Sequence, residues 1–184
     1  MTTYYKEYVI EVVHDQRYTF GSADNINNYK FQYDASGTWY GSQHGIRINK
    51  DDTELSSAIV ACTAGATTIH KHSFLIGDEN IFICCANHVF ALKIPELTLS
   101  WQLKADSATC FAIYPFKNDM LVHGELEISR IDFNGNIKWQ FGARDIFATP
   151  DGESSFEIMD DRIYLKDFEH NIYILDENGI ETNL

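Results

Sequence analysis

The sequence predicts an all-β fold, a small array of about four antiparallel four-stranded units that is either closed or left open. Three observations lead there. Short runs rich in Ile, Val, Tyr, Phe and Trp are broken by turn residues, which is a strand signature. Capped stripes with helical spacing are scarce, and the best helix candidate is a short one within Asp51–Cys62, capped by Asp52 or Thr53. A repeat of about 40 residues can also be laid along the chain without gaps.

The repeat is anchored on Ile46, Val89, Ile128 and Ile172, which are 43, 39 and 44 residues apart. Seven residues before each anchor stand Trp39, Phe82, Leu121 and Leu165, all large and apolar. The middle units match best beyond the anchor, Leu99-Ser-Trp101-Gln against Ile137-Lys-Trp139-Gln. Each unit then divides into four strands. Strand a is Lys30–Asp34, Ser73–Gly77, Cys110–Phe116 and Phe156–Asp160. Strand b is Thr38–Gly41, Ile81–Cys85, Met120–His123 and Arg162–Asp167. Strand c follows each anchor. Strand d is Leu55–Ala61, Leu99–Leu103, Ile137–Phe141 and Ile180–Leu184. Two c–d turns carry Asn134-Gly135 and Asn178-Gly179, a pair suited to the two positive φ values of a type I′ hairpin.

Strand c is apolar on both faces in the second and fourth units, with Val89 and Ala91 against Phe90 and Leu92, and Ile172 and Ile174 against Tyr173 and Leu175. A sheet covered on one side would alternate with polar residues. Covering on both sides places each sheet between neighbours, as blades stand in a propeller. Ser129 and Arg130 break the rule in the third unit.

Ile131-Asp132-Phe-Asn134-Gly135-Asn-Ile137-Lys-Trp139 resembles the blade consensus of the pyrroloquinoline-quinone-type propeller repeats, quinoprotein-like and Trp-Asp-repeat-like. In that family an apolar residue and Asp precede a Gly turn, and a Trp closes the outer strand. Leu175-Asp176-Glu-Asn178-Gly179 matches the first half, and Leu92-Lys93 to Trp101 matches with Lys in place of Asp. The resemblance covers about residues 70–184 and implies a propeller-like fold, not one function. Quinoprotein enzymes of this type have about twice the blades this length holds, so no quinone cofactor is expected. Residues 30–184 read as one repeat domain, and residues 1–29 as an N-terminal extension of one or two strands. Tyr8–Val13 is the clear one, placed to cover an edge or complete a blade.

At 184 residues, 27 Asp and Glu against 14 Lys and Arg give a net charge of −13. That sign repels phosphate and argues against nucleic acid and anionic lipid as partners. The longest apolar runs are too short to cross a bilayer as a helix. The beginning Met1-Thr-Thr-Tyr-Tyr-Lys-Glu shows no leader pattern. Cys62, Cys84, Cys85 and Cys110 sit inside apolar runs, which suits buried thiols in a reducing compartment, so a cytoplasmic location is expected. Cys84 and Cys85 face opposite sides of a regular strand. The vicinal disulfide of some quinoproteins is therefore not expected.

In a propeller the b–c loops emerge at one end. Here they hold His44, His88, Glu125 with Glu127, and Glu169 with His170. These six residues are the candidate partner-binding rim. Three imidazoles and a carboxylate would also suit zinc, but packed sheets set such loops about 10 Å apart, so no metal is expected. His70 and His72 belong to a loop entering the second unit. Arg130, two residues after an anchor, requires a carboxylate, with Glu125, Glu127, Asp106 and Asp145 as candidates. No Gly-x-Ser-x-Gly, phosphate loop or His-Glu-x-x-His occurs. The expected function is a non-enzymatic module that binds another protein, a basic one, through an acidic rim. A bacterial immunity-type protein that neutralises a basic toxin is one concrete form. The alternatives are a structural or assembly subunit, including a homodimer, and a metal- or carboxylate-dependent hydrolase on the same scaffold.

Overall fold

Sixteen strands and no helix make up the described residues of the computed structural model, which are 1–35, 37 and 40–182. They form four sheets. The first contains β1 (Thr2–Tyr5), β2 (Tyr8–His14), β3 (Phe31–Asp34), β4 (Ser42–Lys50) and β5 (Thr53–Cys62), in the order β1-β2-β4-β5-β3. The second runs β6 (Phe74–Gly77), β7 (Asn80–Cys85), β8 (His88–Lys93) and β9 (Leu99–Lys104). The third runs β10 (Cys110–Phe116), β11 (Asp119–Gly124), β12 (Glu127–Ile131) and β13 (Ile137–Gly142). The fourth has β14 (Phe156–Met159), β15 (Arg162–Lys166) and β16 (Ile172–Leu175). Adjacent strands pair antiparallel throughout, except β3 with β5.

Three apolar cores join the sheets in sequence. Ile46, Ile48 and Val60 meet Ile83, Phe90 and Leu92 between the first and second. Phe82, Val89 and Ala91 meet Ile113, Met120 and Val122 between the second and third. Leu121 and Ile128 meet Phe156, Ile163 and Leu175 between the third and fourth. Among the described residues no apolar core joins the fourth sheet to the first. The anchors explain the repeat: Ile46, Val89 and Ile128 all face the following sheet. Ile172 points the same way, joins no apolar core among the described residues, and is 66% exposed. The neighbouring thiols obey the pleat, with Cys85 in the first core and Cys84 in the second.

The first blade is built differently from the repeat frame. Lys30–Asp34 is not its strand a. It is β3, lying parallel to β5 on the far edge of the sheet. Strand b was expected at 38–41, where 38 and 39 lie outside the described residues. The strand in that place is β2, paired with β4, and β1 pairs with β2. Two strands of the N-terminal 29 residues therefore complete the blade, and residues 15–41 are an insertion between β2 and β4. The proposed helix of Asp51–Cys62 is strand β5, because both faces of Ala58–Cys62 are covered: Ala58, Val60 and Cys62 enter the first core while Ile59 meets Tyr18 and Tyr29 of the insertion. In the fourth blade, strand d is reduced to the bridge Leu175–Glu181, and 183–184 lie outside the described residues.

Trp and Gly act together across blades. The Trp101 indole donates to Phe133 O at 3.0 Å, and the Trp139 indole donates to Glu177 O at 3.0 Å. Each ring lies on the glycine of the next blade's c–d turn. A Cβ on Gly179 would stand 2.5 Å from the Trp139 ring, and one on Gly135 would stand 2.8 Å from that of Trp101. The first blade lacks the Trp, and the Tyr33 hydroxyl of the inserted β3 reaches the corresponding Leu97 carbonyl at 2.9 Å. These turns are not type I′. Only Gly135 and Gly179 have positive φ, and each Asp caps a longer loop, Asp132 Oδ1 accepting from the backbone of Asn134 and Asn136. The added glycine conformation creates a type I turn followed by a bulge. Trp139→Ala is expected to lower stability by about 2–4 kcal/mol. Trp139→Phe, which keeps a smaller aromatic ring and loses the donor, should lose about 1–2 kcal/mol. Urea unfolding of the two variants checks both values.

Candidate functional site

The second and third blades are a-b-c-d meanders, so the b–c turn of each and the linker leaving its strand d lie at the same end. Hydrogen bonds knit them together. Asp106 Oδ1 accepts from the backbone of Ala108 and Thr109, while Oδ2 accepts from Leu126 and Glu127. The Glu125 amide donates to Thr109 O, and Glu125 O accepts from the Phe147 amide, both at 2.7 Å. The next turn repeats the pattern, with the Phe168 amide donating to Ile146 O at 2.9 Å. Backbone hydrogen bonds therefore tie the turns and linkers of the second, third and fourth blades together at this end.

The six predicted rim residues have different surroundings. Glu125 on the β11–β12 turn and Glu127 at the start of β12 are half-buried, and the Glu127 carboxylate accepts from the amide and hydroxyl of Ser107. Glu169 and His170 are exposed on the β15–β16 turn, with His170 at φ 66°. His88 opens β8, half-buried, with Nδ1 at 2.7 Å from Asn87 Oδ1 and 3.3 Å from Cys62 Sγ. His44 is not on a rim. It lies inside β4 at 0% exposure, because the inserted segment moves the b–c connection away from it. Its Nε2 is 2.9 Å from Thr67 Oγ1 and its Nδ1 is 3.4 Å from that of His14. Burial, with the neighbouring His14 second, drives its pKa down to about 3. His123, on strand β11 against Phe156 and Phe147 O, is likewise pushed down by burial to about 4. Among the described residues no three His, Cys, Asp or Glu side chains are grouped to hold a metal ion. His70 and His72 precede β6 in a turn, His70 bound to Phe111 O and His72 over the Tyr114 ring.

Sequence reading missed the insertion. Its residues pack on the outer face of the first sheet, where Tyr18, Tyr29 and Phe20 cover Ile59. Gly45 makes the approach possible, since a side chain there would collide with the Tyr29 hydroxyl. Asp15 Oδ2 accepts from Tyr29 and Asn27, each at 2.8 Å, and fixes the start of the segment. At the loop end the segment leaves a cleft of ≈ 580 Å³ lined by Gln16, Tyr18, Phe20, Asp34, Tyr40 and Gln43 among others. The Phe20 and Tyr40 ring centroids are 4.9 Å apart, and Tyr18 stands edge-on to Phe20 at 5.4 Å. Tyr40 Oη donates to Asp34 Oδ2 at 2.8 Å, and burial, then this carboxylate, push the phenol up to about 12. Gln43 Nε2 donates to Gln16 O, while its buried Oε1 has no partner among the described residues. The available signal was composition: Tyr18, Phe20, Tyr29 and Tyr40 fall where the repeat fits worst.

No family model matches the chain, and no curated protein matches it. Solved structures do. The computationally designed Ika8 protein matches with a TM-score of 0.53 at 8% identity, over 77% of this chain and 45% of that one. BamB from Moraxella catarrhalis matches with a TM-score of 0.51 at 13% identity, over 76% of this chain and 42% of that one. The chain thus spans less than half the length of either structure. At these identities the likeness defines the fold alone, a propeller-like stack of antiparallel sheets.

Proposed function

We propose that the chain is a non-enzymatic protein-binding module that takes a basic partner at its loop end. The observation that carries this reading is the inserted segment, which gives the b–c end of the first blade an open aromatic cleft with one carboxylate, that of Asp34. A net charge of −13 favours basic partners and speeds their encounter. Glu125, Glu127, Glu169 and His170 stand at the same end and supply further contacts, with His88 beside them, while buried His44 supports the sheet from within. An immunity-type protein of a bacterial cytoplasm that neutralises a basic toxin fits this chemistry, and the four buried cysteines suit a reducing compartment. The test is capture of the partner on immobilised protein, followed by its identification and by affinity measured against salt. A single saturable partner of high isoelectric point is expected, its affinity falling about tenfold or more between 50 and 300 mM salt. An acidic partner, or one indifferent to salt, would overturn the reading.

One observation favours a second reading, an assembly subunit. The outer face of the fourth sheet exposes Met159 and Ile172 at 46% and 66%, with Ile180 beside it at 62%. Sedimentation of the purified chain separates the two, since a homodimer held on this face would break with Ile172→Lys and a monomer would not change.

A further inference from the structure

We propose that the cleft of the inserted segment is a receptor for one arginine side chain of the basic partner. This rests on the protein-binding reading above and names the group recognised. Three features of the cleft require different properties of its ligand. The rings of Phe20 and Tyr40, 4.9 Å apart and inclined by 38°, offer π faces that attract a cation. Asp34 places a carboxylate beside them, held by the Tyr40 hydroxyl and the Gly37 amide. Gln43, only 4% exposed, leaves Oε1 without a donor among the described residues. The opposite amide orientation would turn Oε1 against the Gln16 carbonyl, so the orphan is an acceptor. A buried unpaired acceptor is unfavourable until a donor reaches it.

These demands select among cations. A quaternary ammonium satisfies the rings but has no N–H for Asp34 or Gln43. A lysine ammonium has the donors but no flat face, and it holds its water tightly. A guanidinium has a planar face for the rings and a fork of donors for Asp34 and, once the Gln43 amide turns into the cleft, for its Oε1, and it is weakly hydrated. The same layer already uses this pairing internally, since the Arg47 guanidinium lies 5.1 Å from the Tyr29 ring centroid. Around the entrance, Asp15 and Asp24 line a neighbouring cleft that shares Tyr18, with Arg17 the opposing charge there.

The experiment is an NMR titration of the whole 184-residue protein with acetyl-Gly-Ser-Arg-Ser-Gly-amide and with its lysine, trimethyllysine and citrulline counterparts. Saturable shifts are expected at Tyr18, Phe20, Tyr40 and Gln43, with the arginine peptide tightest and neutral citrulline weakest. Phe20→Leu, which keeps the apolar bulk and removes the π face, should weaken the arginine peptide about three- to fivefold. Asp34→Asn should weaken it about five- to tenfold. Unperturbed cleft resonances, equal binding of arginine and citrulline, or wild-type affinity in Phe20→Leu would each overturn the assignment. Should the captured partner still bind in a salt-dependent way while the cleft stays silent, the cleft assignment fails and the module survives. An arginine-responsive cleft in a protein that captures no basic partner would sink the module and leave the cleft assignment standing.

Discussion

Asp119→Ala is expected to cost about 3–5 kcal/mol of stability, a large share of what a domain of this size has. Asp119 is 2% exposed at the start of β11, and its Oδ2 accepts from Arg130 Nε at 2.7 Å and from Lys138 Nζ at 2.8 Å. Arg130 in turn donates to Glu177 O in the fourth blade at 2.6 Å. Removing the carboxylate leaves a guanidinium, whose side chain is only 12% exposed, without its counter-charge between two blades. The double variant Asp119→Ala with Arg130→Met should be more stable than Asp119→Ala alone, because the uncompensated charge goes with the arginine. Urea unfolding of the cycle checks this, and equal stability of the single and double variants would show that the loss is packing alone. The need for a carboxylate was legible in the sequence, but its identity was not. Arg130 pairs with Leu121 on one side and Trp139 on the other, and it turns toward the hairpin end where Asp119 lies. The loop-end acids Asp106, Glu125 and Glu127 were nearer by expectation, but they are at the opposite end of the blade.

Acid should unfold the protein well above the ordinary carboxylate range. Buried neutral His44 and His123 have folded pKa values of about 3 and about 4, against about 6.5 in an unfolded chain. As pH falls below 6.5, the unfolded state takes up protons that the folded state refuses, so each histidine removes about 1.4 kcal/mol per pH unit. The loss continues until pH reaches the folded values. Between pH 6.5 and 4.5 the pair removes about 5 kcal/mol. Asp176, held low first by the Ile180 amide, adds a loss in the same direction below its unfolded value. Urea-unfolding free energies at pH 7, 5.5 and 4.5 measure the slope. Replacing His44 and His123 by Gln should flatten it, whatever that does to stability at pH 7. A wild-type profile level across that range would contradict the burial argument.

Both histidines show what a single sequence conveys. The pleat, the two-sided apolar strands and the Trp–Gly repeat were readable because each is local and periodic. The gapless repeat failed where local length changed. The β15–β16 turn is longer than the β7–β8 and β11–β12 turns, so Leu165 faces the preceding blade while Leu121, aligned with it, faces the following one. A shift of one residue inverts the face of a strand. His44 looked like a loop residue for the same reason: the frame had no place for a long insertion between the second and third strands of the first blade. The cleft was invisible because its parts, from Gln16 to Gln43, meet only after β3 has crossed to the far edge of the sheet.

Hydrogen exchange of the protein with and without its captured basic partner is the sharpest test of a loop-end interface. Protection is expected across residues 15–41 and on the turns at 124–127 and 167–171, and it should fade with salt. Protection confined to the opposite hairpin ends, or to β14–β16, would contradict a loop-end interface.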